Sequence, residues 1–453
     1  MKLRNMIGYG VGDVGAGIMW GMVGSYALVY MTDAVKLSPA ILGTMLLVAR
    51  VFDGVSDAFM GAIIDNTHTR LGKARPWYLA SILPLVVIAV LLFNVPAQFS
   101  DAGKYAYFFV MYFLMTAVFY TVKDVSYNAL PALVTDSTKD RIGLNIWRYL
   151  LSLSTGIVIG VATVPALNSM GGISDQSAWT RILFVYSLIA LPTLVISGFS
   201  VKEMNVASKG AGEEKPKGIP FLKAFALTFQ NRYFLLSLGG TLLGMIRMAL
   251  GSANIYFAQY NAGNAELVGI LTIASLLPMI VGMLLSPPLL SRFGMLKVKA
   301  VGGFVSLVGS IVAALLPGSF AMVVLGQCLI AFGMGPFVAS GSAWLAYVID
   351  YGEWKNGEML TGTICSCNSV ATKVGTGLGN AMIGWGLAIG GYMAANPVQA
   401  ESALTAIKAV YLYIPVALSL LIFVLSLFQD LEEKMPQIKA EMANRSGGTE
   451  VAQ

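Results

Sequence analysis

Charge, histidine and cysteine are all scarce in this chain. Of 453 residues only 11% are Asp, Glu, Lys or Arg, while 57% are hydrophobic; an ordinary soluble protein carries about 25% charged residues. So few charges cannot cover the surface of two or three soluble domains, and the length reads instead as helical spans of ~20 residues each. The single histidine, His68, lies in a polar segment, so an HExxH metal centre is impossible. The three cysteines, Cys328, Cys365 and Cys367, fall inside apolar runs at spacings that suit neither a disulfide framework nor a zinc site. On a helix Cys365 and Cys367 point about 200° apart, so they read as packing residues. A membrane-embedded enzyme would need a metal or nucleophile–base constellation that these residues do not offer. The expectation is a protein that is not an enzyme and has no cofactor. No cleavable signal is expected either, because the first apolar run is too long and lacks a small-residue cleavage site.

What is abundant fits the membrane. Forty-nine glycines and 23 methionines suit tightly packed transmembrane helices, where small residues let backbones approach. Apolar runs fall at 8–31, 40–64, 77–96, 105–130, 143–168 and 179–200, and again at 233–260, 265–291, 299–316, 319–346, 360–392 and 405–428. The expected architecture is all-α, twelve transmembrane helices in two pseudo-symmetric six-helix bundles. The first bundle covers 1–200 and the second 233–428. A Lys-, Glu- and Gly-rich linker, 201–232, joins them, and a polar tail, 429–453, follows. TRLGKARPW after the second run and SRFGMLKVKA after the eighth form a weak repeat that relates the halves.

Orientation follows from the basic residues. Outer loops would hold only Lys36, Lys104, Arg181 and Lys408, and the inner connections hold most of the remaining Lys and Arg. Both termini are therefore expected on the cytoplasmic side. The formal net charge of +6 follows from this asymmetry and gives no reason to invoke nucleic acid.

The charges left inside the runs are Asp13, Arg50, Asp53, Asp57, Lys123, Asp124, Arg148, Arg247 and Lys373. Ionisable groups at membrane depth are costly and point to function. Asp53 and Asp57 share one helix face, with Arg50 three residues before. At ~5 Å and an effective dielectric of ~20 two carboxylates repel by about 3 kcal/mol, so a cation or proton is expected to relieve them. Buried ion pairs that fix helix register are the structural alternative for any one of these residues, but two like charges on one face do not hold a bundle together. Lys123, next to Asp124, should point about 100° away from it, with snorkelling as its alternative role. The eighth span, VGILTIASLLPMIVGMLLSPPLL, carries no charge, so the ion chemistry belongs to the first half.

Five segments carry a resemblance: IGYGVGDVGAG at Ile7–Gly17, FDGVSDAFMG…D…RLGKARPW at Phe52–Trp77, YTVKD at Tyr120–Asp124, WR at Trp147–Arg148, and DYGEWKNG at Asp350–Gly357. Through them nearly the whole chain resembles the glycoside–pentoside–hexuronide cation symporters of the major facilitator superfamily, the family of the melibiose and glucuronide carriers. The resemblance implies a cation site at Asp53, Asp57, Thr121 and Asp124. It implies sugar contacts at Asp13, Asp124 and Arg148, with Lys373 across the cavity. Tyr120, Trp147 and Trp20 offer ring faces for stacking, and Asn128 stands where the melibiose carrier has its sugar-stacking aromatic, so the resemblance does not extend to melibiose specificity. After DYGE-x-x-x-G, Met359 and Thr361 replace the family's Arg and Glu.

Together these readings give a secondary active transporter of a bacterial inner membrane, a monomer that carries a sugar or glycoside inward with a cation by alternating access. An oxygen-only donor set suits Na⁺, with Li⁺ or H⁺ the other coupling ions of this construction. Proton-coupled transport of a hexuronide is the alternative within the class; a lysolipid carrier or a non-transporting sugar sensor are the alternatives outside it. A channel is disfavoured because the charges form no symmetric ring. Asp65, Arg70, Lys73, Arg75 and Arg141, with Asp350 and Glu353 as partners from the second half, form the expected cytoplasmic gating cluster; ordinary positive-inside topology would account for the same basic residues.

Overall fold

Backbone groups in lipid must find their partners within the chain, and the apolar runs do so as helices. The computed structural model describes residues 1–135, 137–204, 221–358, 360–394, 396 and 398–450. The side chains of Ala58, Asp65, Thr138, Lys139, Ile142, Phe221, Leu222 and 443–450 are outside that description, as is Met359. No β-strand occurs among the described residues.

The first six long helices are α1 (Leu3–Ala34), α2 (Pro39–Asp65), α3 (Arg75–Leu92), α4 (Asp101–Val134), α5 (Thr138–Ser169) and α6 (Gln176–Ser200). A short helix, α7 (Phe221–Phe229), comes next. Then follow α8 (Arg232–Asn261), α9 (Ala265–Phe293), α10 (Met295–Leu315), α11 (Phe320–Asn356), α12 (Thr361–Ile389), α13 (401–427) and α14 (Leu431–Glu450). Ten described helical segments are long and apolar enough to cross a bilayer. The expected twelve is reached only with α2 and α12, which have the length, 27 and 29 residues, but are more polar.

Helix starts are set by local chemistry. Pro39 opens α2, and the side chains of Ser100, Ser137 and Asp175 accept backbone N–H groups at the starts of α4, α5 and α6. Hydrogen bonds from the Ser177 hydroxyl and N–H hold the exposed Asp175 carboxyl below the usual carboxylate range. At the start of α3 the Glu203 carboxylate accepts the N–H groups of Lys73, Ala74 and Arg75 at 2.7, 2.9 and 2.7 Å.

Two expectations need correction. The segment 201–232 is not only a connector, since α7 lies within it. The tail is not simply polar: α14 places Leu431, Met435 and Ile438 on one stripe and buries them with Trp344, Val348 and Tyr233. That spacing of four and three was hidden by the many charges around it.

The chain forms two compact units. One gathers α1–α6 with Ala249–Ile273 and Thr376–Tyr411. Within it, the end of α1 is fastened by Asp33, which is fully buried. Tyr260 donates to its carboxylate at 3.0 Å, Tyr392 donates to the other oxygen, and neighbouring Thr32 pairs with Tyr256 at 2.9 Å. α2 and α12 touch backbone to backbone in the same unit: a Cβ on Gly384 would lie 2.3 Å from the Pro39 carbonyl oxygen. The other unit includes Ala274–Gly375 and is centred on the Trp344 cluster.

Gly384→Val is therefore expected to overpack this crossing by about 1–3 kcal/mol. Thermal unfolding in detergent should show a fall of several degrees, whereas Gly341→Ala, which meets nothing within 4 Å, should leave the midpoint within a degree or so. Equal midpoints for the two variants would show that the crossing is loose.

Candidate functional site

α1, α2, α4 and α5 each contribute charged side chains to one region of the first unit. α4 is prepared for this by a local widening: Leu114–Tyr120 forms a π-helical turn immediately before Thr121. The Thr121 hydroxyl donates to Asp53 Oδ1 at 2.8 Å, and Ser56 Oγ lies 3.3 Å from the same hydroxyl. Asp53 is 4% exposed. Its other oxygen lies 3.3 Å from Nη1 of Arg50, itself 2% exposed. The Arg50 guanidinium rests on the Trp20 ring at 4.1 Å, and Trp20 in turn stacks on Tyr120 at 4.4 Å. Nε and Nη2 of Arg50 have no hydrogen-bond partner among the described residues, so the indole face is what they meet.

One turn along α4, Asp124 accepts a hydrogen bond from Asn128 Nδ2 at 2.9 Å. Its second oxygen is 3.6 Å from Lys123 Nζ, and that ammonium is also 3.7 Å from Asp13 Oδ1 on α1. Arg148 Nε on α5 donates to the other Asp13 oxygen at 3.0 Å. A tyrosine floor holds these groups. Tyr9 and Tyr127 each donate to the other's carbonyl, Tyr78 stacks on Tyr127 at 5.3 Å, and the Arg148 guanidinium lies 4.2 Å above Tyr127.

The structure thus brings together Asp13 with Arg148, Asp53 with Thr121, and Asp124 with Asn128. Among the described residues no group of three His, Cys, Asp or Glu side chains converges as a metal site requires. Arg50 stands against Asp53 and Lys123 against Asp124, so the protein itself supplies part of the positive charge these acids need. Asp57 lies one turn beyond Asp53 on α2 and is half-buried. Tyr120 has one ring face covered by Trp20, and Trp147, half-buried on α5, makes no ring contact among the described residues.

Lys123 also departs from expectation. It is 1% exposed and does not snorkel. Its flexible stem folds back and carries the ammonium to the Asp124 carboxylate despite the divergence of adjacent helical positions. Lys373 is half-buried on α12 in the second unit. Arg247, also in that unit, donates to Ser419 at 2.9 Å, and Ser419 pairs with Ser310.

The cytoplasmic gating set divides. Arg75 is 6% exposed and donates to the Gly198 carbonyl at 2.8 Å, while Arg141 donates to the carbonyls of Thr135 and Ala132. Both hold helix ends in place within the first unit. Arg70 is exposed, Lys73 half-buried, and the Asp65 side chain lies outside the described residues. Asp350 and Glu353 sit half-buried near the end of α11. Asp33 is the charged residue the sequence reading passed over, because it stands at the edge of the first apolar run; its position two residues past that run was the available signal.

Comparison with known proteins identifies the family. The family described as MFS/sugar transport protein matches residues 8–433. The putative glycoside/cation symporter YagG of Escherichia coli (strain K12) is 28% identical over 98% of this chain and 95% of its own length. The isoprimeverose transporter of Lactiplantibacillus pentosus is 28% identical over 96% of this chain and 90% of its own. Among solved structures, the nucleoside transporter NupG superposes with a TM-score of 0.62 over 94% of this chain and 99% of that one, at 15% identity, which shows a common fold. With ten apolar membrane-length helices among the described residues and a family match over nearly its full length, the chain belongs to the MFS/sugar transport proteins, the glycoside–pentoside–hexuronide family of the major facilitator superfamily.

Proposed function

We propose that this transporter takes up a neutral glycoside together with Na⁺ by alternating access, as a monomer in a bacterial inner membrane with both termini cytoplasmic. The observation that carries the cation reading is the meeting of Asp53, Thr121 and Ser56 oxygens from two helices, with the Asp57 carboxyl one turn away. Oxygen donors of this hardness suit Na⁺ and its close relatives. Ser56 joins the residues expected from sequence. A coupling ion would sit against Asp53 and Thr121, with Asp57 and Asp124 able to close on it.

The sugar site is proposed at Asp13, Arg148, Asp124 and Asn128. Asp13 and Arg148 present a carboxylate and a guanidinium side by side, a pair that can accept and donate to neighbouring sugar hydroxyls. Their mutual compensation, and that of Lys123 with Asp124, favours a neutral glycoside over a hexuronide. Tyr120, with one face already covered, and Trp147 offer ring surface for the pyranose. Asp124 faces both sites, so filling either would make the other easier to fill, by the same factor in each direction.

Uptake into right-side-out vesicles under an imposed Na⁺ gradient, across a panel of nitrophenyl glycosides and hexuronides, tests the reading. Accumulation should occur for neutral glycosides and collapse when the gradient is dissipated. A sensor gives no accumulation, and preference for hexuronides at any gradient sinks the neutral-sugar assignment. Asp53→Cys removes a charged ligand worth about 1.5–3 kcal/mol, so Na⁺ stimulation should fall by roughly 10–100-fold while sugar binding persists. Stimulation that survives intact would remove Asp53 from the cation site.

Arg148→Cys is expected to lose sugar binding itself, by at least about tenfold, since Asp13 would keep only the more distant Lys123. Calorimetric titration with the sugar identified by uptake measures this. An unchanged dissociation constant would place the sugar elsewhere.

A further inference from the structure

Lys123 is buried within the site, and the reading above gives it no role beyond balancing the charge of Asp124. Its Nζ stands 3.6 Å from Asp124 Oδ1 and 3.7 Å from Asp13 Oδ1, equidistant within a tenth of an ångström. Neither separation is the 2.7–2.9 Å of a charge-assisted hydrogen bond. The ammonium is held between the two carboxylates and committed to neither. The Tyr127 and Tyr120 rings border it at 4.7 and 5.3 Å, attracting a cation without fixing it in one direction. Each carboxylate has its second oxygen tied elsewhere, Asp124 to Asn128 and Asp13 to Arg148. One oxygen on each side is therefore left to share Lys123, and a four-carbon stem lets the head move between them.

We propose that Lys123 is a tethered cation that holds the coupling ion's place at Asp124, and that ion binding displaces it onto Asp13. The idea rests on the symport reading above. An ion arriving at Asp53 and Thr121 repels the ammonium and competes for Asp124, so Lys123 moves toward Asp13. Full pairing of Lys123 with Asp13 Oδ1 then neutralises the carboxylate and weakens its hold on Arg148, which is bonded to the other oxygen, so the guanidinium becomes more available to sugar hydroxyls. In the empty carrier the same ammonium returns to Asp124. Lys123 is thus a positioning residue: it touches neither solute and links their two sites.

Na⁺ alone is sufficient as a probe. The full-length protein in detergent is titrated with NaCl, choline chloride keeping ionic strength constant, and the melting temperature is read as a function of Na⁺. Lys123→Met removes the competitor, and the Na⁺ concentration giving half the maximal shift should fall at least fivefold. Asp13→Asn removes the alternative partner, leaves Lys123 on Asp124, and should raise that concentration by a similar factor. Opposite shifts from the two variants are the signature of competition; a merely structural lysine would lower stability in both without moving the half-saturation points. Half-saturation within twofold of the unsubstituted protein for Lys123→Met, or a shift in the same direction for both variants, overturns the proposal. Lys123→Gln is read by the same criterion if Lys123→Met is poorly folded. If the unsubstituted protein gives no Na⁺ response, and none to Li⁺ or to pH, the symport reading falls, and this inference with it.

Discussion

Carboxylates buried in lipid-spanning helices need positive charge within a few ångströms, and the first unit is built around meeting that need. Desolvating an ion costs several kcal/mol even after the protein relaxes. Asp13, Asp53 and Asp124 each lie within 4 Å of an arginine or lysine carried by the same set of helices. The bases are held by rings as well as by charge, Arg50 on Trp20 and Arg148 on Tyr127. Aromatic faces attract cations yet impose little direction, so the ion pairs can rearrange without leaving an uncompensated charge. A rigid salt-bridge lattice would stabilise one arrangement only. Under the proposed alternating-access cycle, charge compensation has to tolerate movement.

The helices themselves serve that compensation. The π-helical turn before Thr121 sets the phase of α4 so that Thr121 meets Asp53 on α2 while Lys123 and Asp124 reach toward α1. The reciprocal Tyr9–Tyr127 bonds join α1 to α4 beneath the charged layer. Arg75 and Arg141, bound to backbone carbonyls, use their charge on the chain itself. The positive residues of one inner region thus fill two roles, topology and docking of helix ends.

Much of this was legible in the residues. Apolar runs located most of the long helices to within a few positions, because length and hydrophobicity are all a lipid-spanning helix needs, although α11 runs on to Asn356, ten residues past its run. Asp13 lies against Arg148 and Asp53 against Thr121, residues the family resemblance had singled out. Three features were not legible, each for a physical reason. Lys123 lies beside Asp124, and helical geometry separates neighbours; only the length of the lysine stem overrides that. Met435 and Ile438 lie among charges in α14, so their stripe does not stand out by composition. Asp33 stands at the end of an apolar run where an acid normally meets water, and its hydroxyl partners come from residues more than two hundred positions away.

That last carboxylate bears on how the molecule can open. Asp33 has no base beside it among the described residues; its carboxylate is bonded by the hydroxyls of Tyr260, Tyr392 and its neighbour Thr32. Moving the ends of α8 and α12 away from α1 strips off both tyrosines together, and water must arrive in the same event. A carboxylate parted from both tyrosines without water would be left with its neighbour Thr32 alone, which makes those two hydroxyls a joint constraint on the end of α1.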